Sequence, residues 1–252
     1  MRSEQLAAEL NEPVTFDQIV GPWHVYQLRK GHRFSTDDLL VACIAIEARP
    51  SARRLLDIGA GIGSVGLMTL HAMPEDAHLT MVEVQLRSHT LARASIEDNT
   101  LSGRIKAIHQ DLREYQPPGR CFDLVTGSPP YTPVGMGVIS PHPQRAGARM
   151  ELRGDVFDYC RAAARALAPE GAFCFVHAAA DVRPEAAVRD AGLVLCKRQD
   201  VVFRSGQAPT IALFTCAWSG DREDAPPIVV RDENGRWTPE YIELRKKMTT
   251  RS

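Results

Sequence analysis

The twenty residues from Arg53 to Ala72 constrain the fold more than any other stretch. Leu55-Leu56-Asp57-Ile58 reads as a short buried strand, and Gly59-Ala60-Gly61-Ile62-Gly63 follows without a spacer. Ser64–Ala72 then reads as a helix. A strand that runs into alternating glycines and then a helix opens a parallel βαβ nucleotide-binding unit. The glycines let the backbone pass close to a ligand and let the helix pack on the strand.

The pattern continues downstream. Leu79–Val82 is a second strand that ends in Glu83; Gln85–Leu101 is a helix; Ile105–Ile108 is a third strand, with Asp111-Leu112 at its carboxyl end. Phe122–Thr126 and Ala172–Val176 are apolar runs of buried-strand length, separated by a helix over Asp155–Leu167. Asp181–Ala191 is a helix with Gly192 as its C′ residue. Leu193–Phe203 and Thr210–Trp218 form an antiparallel pair around a Ser-Gly turn. The fold class is therefore α/β, with five parallel strands and a terminal antiparallel hairpin in a seven-stranded, mostly parallel sheet that carries helices on both faces.

Upstream, residues 1–20 are polar and weakly patterned, and Trp23–Leu28 alternates as a strand does. Arg29–Arg33 is a basic turn, Ser35-Thr36-Asp37-Asp38 reads as the N-cap of a helix over Leu39–Ala48, and Pro50 ends it. Three parts follow: an N-terminal extension with short strands over 1–34, the α/β domain over 35–218, and a tail over 219–252 packed on or near that domain.

Three acids surround the glycine turn. Asp57 precedes it, and Glu83 and Asp111 each follow a strand. Carboxylates are poor company for a pyrophosphate. They suit a cofactor with an ammonium and a sulfonium, S-adenosylmethionine. In that arrangement Asp57 lies near the amino-acid end, Glu83 holds the ribose hydroxyls and Asp111 accepts from the adenine amino group.

The fourth strand ends in Gly127-Ser128-Pro129-Pro130-Tyr131. Two consecutive prolines have fixed φ and no N–H, and they push the preceding residue toward extended geometry. The result is a stiff rim that presents a hydroxyl, a free carbonyl and an aromatic face side by side. Those groups suit a flat ring that bears an amino group. Beyond it, residues 132–153 are rich in Pro, Gly, Arg and Met and lack helical or strand periodicity. This reads as a substrate-side loop that orders on binding, with Arg145, Arg149 and Arg153 available to phosphates.

A net charge of −1 excludes a global electrostatic signature of nucleic-acid binding, so any such binding must use the local basic clusters at 29–33, 145–153 and 245–251. The six cysteines are scattered without a C-x-x-C pair, which reads as structural thiols in a reducing compartment rather than zinc ligands. No apolar run approaches the ~20 residues of a membrane span, and the start of the chain lacks the apolar core of a signal peptide. A cytoplasmic protein with no metal is the expectation.

Asp57-Ile58-Gly59-Ala60-Gly61-Ile62-Gly63, Glu83, Asp111 and Ser128-Pro129-Pro130-Tyr131, in that order, resemble the Rossmann-like class I methyltransferases that modify exocyclic or side-chain amino groups. Their signature is Asn, Asp or Ser, then two prolines, then Tyr, Phe or Trp. Within that group the chain is similar to the bacterial tRNA(Val) adenine-N6 methyltransferase family. His32-Arg33-Phe34-Ser35-Thr36-Asp37-Asp38-Leu39-Leu40 matches the family's segment before the glycines. Pro227–Tyr241 matches its closing pattern of an apolar strand, Asp-x-x-Gly and an aromatic-Thr pair. The likeness covers about residues 14–248; Ser128 stands where the family usually has Asn.

The resemblance implies S-adenosylmethionine-dependent N-methylation of adenine in RNA, with tRNA as partner and no membrane. Methylation of a protein glutamine or of DNA adenine, and a non-catalytic S-adenosylmethionine-binding partner subunit, are the alternatives. The catalytic residues it implies are Ser128, Pro129, Pro130 and Tyr131. The cofactor residues are Thr36, Asp37, Asp57, Gly59, Ala60, Gly61, Gly63, Glu83, Val84, Asp111, Leu112 and Ser128. The substrate residues are Arg33, Tyr131, Arg145, Arg149, Lys246 and Lys247. Ser128 Oγ and the Pro129 carbonyl would accept from the amine, and Tyr131 would stack on the base.

Overall fold

The computed structural model describes residues 2–133, 135 and 140–249. Helix α1 (Arg2–Leu10) and the antiparallel hairpin β1 (Val14–Val20)–β2 (Trp23–Leu28) come first. The α/β body follows as α2 (Thr36–Ala48), β3 (Arg54–Ile58), α3 (Ser64–Ala72), β4 (His78–Glu83), α4 (Leu86–Asp98), β5 (Ile105–His109) and β6 (Phe122–Gly127). Next come α5 (Pro143–Arg149), α6 (Val156–Ala166), β7 (Leu167–Ala178), α7 (Arg183–Asp190), β8 (Val194–Val202) and β9 (Ile211–Ala217). β10 (Glu223–Val229) and α8 (Pro239–Thr249) close the chain.

The main sheet has the order β10-β8-β9-β7-β6-β3-β4-β5. β9 alone runs against its neighbours; every other pair is parallel. All seven strands read from the sequence are present, and β10 adds an eighth beside β8. Its sequence, Glu-Asp-Ala-Pro-Pro-Ile-Val, hides a strand because Pro226 and Pro227 cannot donate to a ladder. The sheet accommodates them at an edge, where the register shifts between Ala225 and Ile228. The polar N-terminal twenty residues likewise hold a helix and a strand, with one face of the hairpin packed on α3 and α4.

Apolar side chains bury on both sheet faces. One core takes residues of α2, α3, α4, the hairpin and α8; the other takes residues of α6 and α7. On the second side Phe173, Phe175 and Phe214 stack at 4.9 and 4.8 Å across β7 and β9. Each such pair is worth about 0.5–1.5 kcal/mol beyond its buried area, which fixes the antiparallel strand to the parallel ones. The six cysteines are free, and burial pushes the Cys43, Cys160 and Cys174 thiols up to about 12, so they behave as packing groups. Among the described residues no helix is long and apolar enough to cross a membrane.

Because β3, β4, β5 and β6 are parallel, the turns that leave them meet at one edge of the sheet. That topology brings Gly59–Gly63, Glu83, Asp111 and Ser128–Tyr131 together.

Candidate active site

The turn after β3 has three left-handed glycines, Gly59, Gly61 and Gly63. Gly59 has φ +63°, and a Cβ there would lie 2.0 Å from the Tyr159 hydroxyl. Gly61 has φ +58°, and a Cβ there would meet nothing within 4 Å, because it would stand in the open hollow. Glycine is required at both, at the first by contact and at the second by backbone conformation.

Three buried carboxyls surround this turn. Glu83 accepts from the Gly61 N–H at 2.8 Å through Oε2 and from the Gln85 N–H at 2.6 Å through Oε1. Asp57 accepts from Thr126 Oγ1 at 2.8 Å and from the Gly66 N–H at 3.1 Å. Asp38, inside the cap of α2, accepts from the Ser35 N–H at 2.7 Å and from Ser64 Oγ at 3.1 Å. Burial raises all three above the usual carboxylate range, and Asp57 reaches about 7. Hydrogen bonds offset part of that rise. None of the three forms an ion pair among the described residues, and the one cation that acts on them, Arg153, lowers Glu83 without touching it.

These acids line a hollow together with the glycine turn, Leu112, Ser128 and Tyr159. Its space above Gly61 and its unpaired carboxyls fit a compact ligand with cationic and hydroxyl groups, as S-adenosylmethionine has. Helix α5 covers one side. Gln144 accepts from the His32 N–H and donates to Ser88 Oγ, both at 3.0 Å; Arg145 donates to the Gly31 carbonyl at 3.1 Å; His142 meets Glu12 at 2.7 Å. The 132–153 stretch is thus not structureless. Pro143 starts a helix that is too short, at 7 residues, to show a period. Val134 and residues 136–139 of that stretch lie outside the described residues.

The rim after β6 borders a second hollow, lined by Arg33, Asp37, Pro129, Tyr131, Arg145 and Arg149 among others. His32, Asp38, Ser128, Pro130 and Ala148 line both hollows. Ser128 Oγ is buried and has no hydrogen-bond partner. Tyr131 donates to Asp37 Oδ2 at 3.1 Å, and its ring meets the buried His177 edge-on at 5.3 Å. His177 stands 3.6 Å from Asp181, Asp181 pairs with Arg183, and Arg183 pairs with Glu151. The Glu151 N–H donates to the Thr132 carbonyl at 3.0 Å, which closes the brace around Tyr131. Tyr131 is therefore a fixed wall whose hydroxyl is already engaged.

Of the residues expected on the cofactor side, Asp57, Gly59, Ala60, Gly61, Glu83, Val84, Leu112 and Ser128 line the first hollow. Four do not. Asp37 turns to Tyr131 and lines the second hollow. Thr36 Oγ1 faces the Tyr241 hydroxyl at 3.4 Å. Gly63 starts α3 with φ +88° and donates to the Ala60 carbonyl. Asp111 pairs with Arg113 at 2.6 Å, which holds its carboxyl below the usual range, and it is not among the residues that line the hollow although Gln110 and Leu112 are. Pro129, Pro130 and Tyr131 line the second hollow with Arg33, Arg145 and Arg149, although Arg33 also pairs with Asp17 at 3.0 Å. Lys246 and Lys247 lie on α8 and line neither hollow; Lys246 pairs with Glu243 at 2.8 Å. Arg251, in the same basic cluster, lies outside the described residues.

Sequence reasoning missed Tyr159, Gln85 and Gln144 as lining residues. Tyr159 and Gln144 arrive from elements distant in sequence, and Gln85 directly follows Glu83 and Val84 but belongs to no motif. Asp38 was visible only as the acid of a helix cap.

Residues 35–186 match the family model of the methyltransferase small domain, and the chain belongs to that family. It is 25% identical over 225 residues to a Pasteurella multocida protein named tRNA1(Val) (adenine(37)-N6)-methyltransferase, covering 89% of this chain and 92% of that one. A protein of the same name from Aeromonas hydrophila is 28% identical over 244 residues, covering 93% and 95%. Among solved structures, an Agrobacterium tumefaciens protein described as a predicted O-methyltransferase superposes with a TM-score of 0.65 at 20% identity, over 85% of this chain and 98% of its own. The T. thermophilus 16S rRNA N2 G1207 methyltransferase, solved with AdoMet and guanosine, superposes at 0.57 and 19% identity, over 83% and 50%. Both share the fold. The protein is an S-adenosylmethionine-dependent methyltransferase.

Proposed function

We propose that this member of the methyltransferase small domain family methylates the exocyclic amino nitrogen of an adenine in RNA, with a tRNA as substrate in the cytoplasm. The observation that carries this reading is Ser128. Its Oγ is buried without a partner in the wall common to both hollows. A buried polar atom left unpaired costs about 1–3 kcal/mol, which a donor on the ligand would relieve.

S-adenosylmethionine supplies an electrophilic methyl group when bound in the acid-lined hollow. Asp57, Asp38 and Glu83 there favour a cation, because ionising them without one is costly. Glu83 keeps lone pairs for hydroxyls after accepting from two backbone N–H groups.

In the second hollow, an adenine amino group has two N–H donors and a lone pair conjugated with the ring. Ser128 Oγ and the Pro129 carbonyl accept those two donors. That holds the nitrogen toward pyramidal geometry and aims its lone pair through the shared wall. The stiffness of two prolines makes the acceptors preorganised, so the gain is positional and electrostatic. The braced Tyr131 ring gives the base a fixed surface. Arg145 and Arg149 meet the phosphates. No strong base is needed, since the nitrogen becomes acidic once methylated and loses its proton afterward.

The names of the relatives support tRNA within this class, and those matches span nearly their whole length. The test is transfer of labelled methyl to total tRNA, with digestion and nucleoside mass spectrometry. N6-methyladenosine is the expected product. Label only in duplex DNA or only in protein would overturn the RNA reading.

A further inference from the structure

The loops after β8 and β10 line neither hollow, yet they lie at the rim's edge of the sheet. β9 is antiparallel to both β7 and β8, and β10 is parallel to β8, so β7, β8 and β10 all end at that edge. Arg204 follows β8; Arg231 and Trp237 follow β10. Trp237 is 43% exposed. The guanidinium of Arg245, from α8, lies 3.8 Å from its ring centroid and that of Arg231 lies at 5.7 Å. Gly235 draws Arg204 into the cluster, since a Cβ there would stand 3.2 Å from an Arg204 Nη.

The cluster is rich in unpaired cations. Several arginines elsewhere meet carboxylates, as Arg54 does Asp123, Arg113 does Asp111 and Arg183 does Glu151. Among the described residues Arg204, Arg231 and Arg245 have no carboxylate partner; Arg231 donates only to the Gly235 carbonyl, at 2.7 Å. Asp232 is taken by Arg236 at 2.9 Å. Glu233 and Glu240 are the nearby acids in sequence, and both are exposed to solvent. The cluster is also anchored to the substrate side. Thr238 Oγ1 accepts from the Tyr241 N–H at 3.2 Å, and the Tyr241 hydroxyl lies 3.4 Å from Thr36 Oγ1, between Ser35 and Asp37 of the second hollow.

We propose that Trp237, Arg204, Arg231 and Arg245 form a docking platform for the single-stranded RNA that flanks the methylated nucleotide; the proposal rests on the RNA reading above. The indole offers a face for a neighbouring unpaired base, and stacking of that kind tolerates any base. The three arginines, free of carboxylates, take the adjoining phosphates, and two of them are already held against the ring. A duplex offers no free base face, so the platform selects an unpaired segment.

Fluorescence anisotropy with an unmodified tRNA transcript, a single-stranded oligoribonucleotide and a duplex RNA of equal length tests this. Trp237→Ala should weaken tRNA and single-strand binding about five- to tenfold while Trp237→Phe restores most of it. Arg204→Ala/Arg231→Ala/Arg245→Ala should weaken binding about tenfold and lower the salt slope by about two to three. Cofactor affinity and the turnover number at saturating tRNA should stay at wild-type values. Wild-type RNA affinity in both variants, equal loss on duplex and single strand, or a matching loss of cofactor affinity would overturn the platform. Loss of methylation of a protein extract with RNA binding intact would overturn RNA as its occupant. A wild-type protein that binds single strands through Trp237 but transfers no methyl to RNA would overturn the function and leave the platform standing; one that binds no RNA would overturn both.

Discussion

Around the glycine turn the lining is acidic, with Asp38, Asp57 and Glu83 and a single cation, Arg153; across the Ser128 wall Arg33, Arg145 and Arg149 dominate. The acidic hollow is the smaller of the two, and α5 covers one side of it. Its carboxyls are buried and raised, whereas Arg149 on the other side is exposed. Under the proposed function the contrast separates two ligands that must meet. The acidic side would take the cationic cofactor, where fixed charges act strongly, and the more basic side would take the group carried on a polyanion. Ser128 and Pro130 belong to both sides, which would place the chemistry at the wall.

The sharpest way to break this division is at the wall itself. Ser128→Ala should lower the turnover number about a hundredfold, the scale of losing one preorganised hydrogen-bonding group. Cofactor affinity should stay within a few-fold, and Ser128→Asn should recover activity. Steady-state kinetics with calorimetry for the cofactor checks both; an alanine variant at the wild-type rate would make Ser128 a turn residue only.

A second test acts on the acidic side alone. Glu83→Ala should weaken S-adenosylmethionine binding more than tenfold, because hydrogen bonds to a charged group are worth about 1.5–3 kcal/mol each. Part of that loss passes through the Gly61 and Gln85 N–H groups left unpaired. A melting curve separates that effect from simple unfolding, and RNA affinity measured in parallel should not change.

The same side should respond to pH. Asp57 titrates near 7 in the free protein, and a bound cation favours its ionised form. Cofactor affinity should therefore rise about fivefold between pH 6 and 7, as the ionised fraction grows. Calorimetry in buffers of different ionisation enthalpy should show proton release on binding. The sign for stability is the reverse. Asp57 is raised in the folded chain, so its contribution is complete below about pH 4 and is lost as pH rises through 7.

The smallest effect belongs to the basic side. Arg149→Ala should raise KM for tRNA about threefold and reduce the salt slope by about one, with cofactor affinity unchanged. A change in cofactor affinity of the same size would show that the two hollows are not separable.

How much of this could be read in advance depends on how local each cause is. The glycine turn, the cap within residues 35–38 and the two-proline rim depend on residues adjacent in sequence, and the structure holds each of them there, with α2 starting three residues earlier than the pattern suggested. Helix α5 has 7 residues and a central Gly147, too little for a period, and it exists through Gln144, Arg145 and His142 binding distant partners. β10 carries two prolines and forms because an edge position tolerates them. Asp111 follows β5 as the pattern places it, and its pairing with Arg113, two residues on, could not be read from the motif.

Sequence alone determined the α/β class, the acids that end the strands and the stiff rim, since φ restrictions, glycine freedom and side-chain period act over a few residues. Tertiary structure decided that Ser128 Oγ is buried and unpaired, that Asp57 titrates near 7, and that Trp237 gathers arginines at the rim's edge of the sheet. Those properties come from desolvation and charge across elements far apart in the chain, and no short window contains both partners.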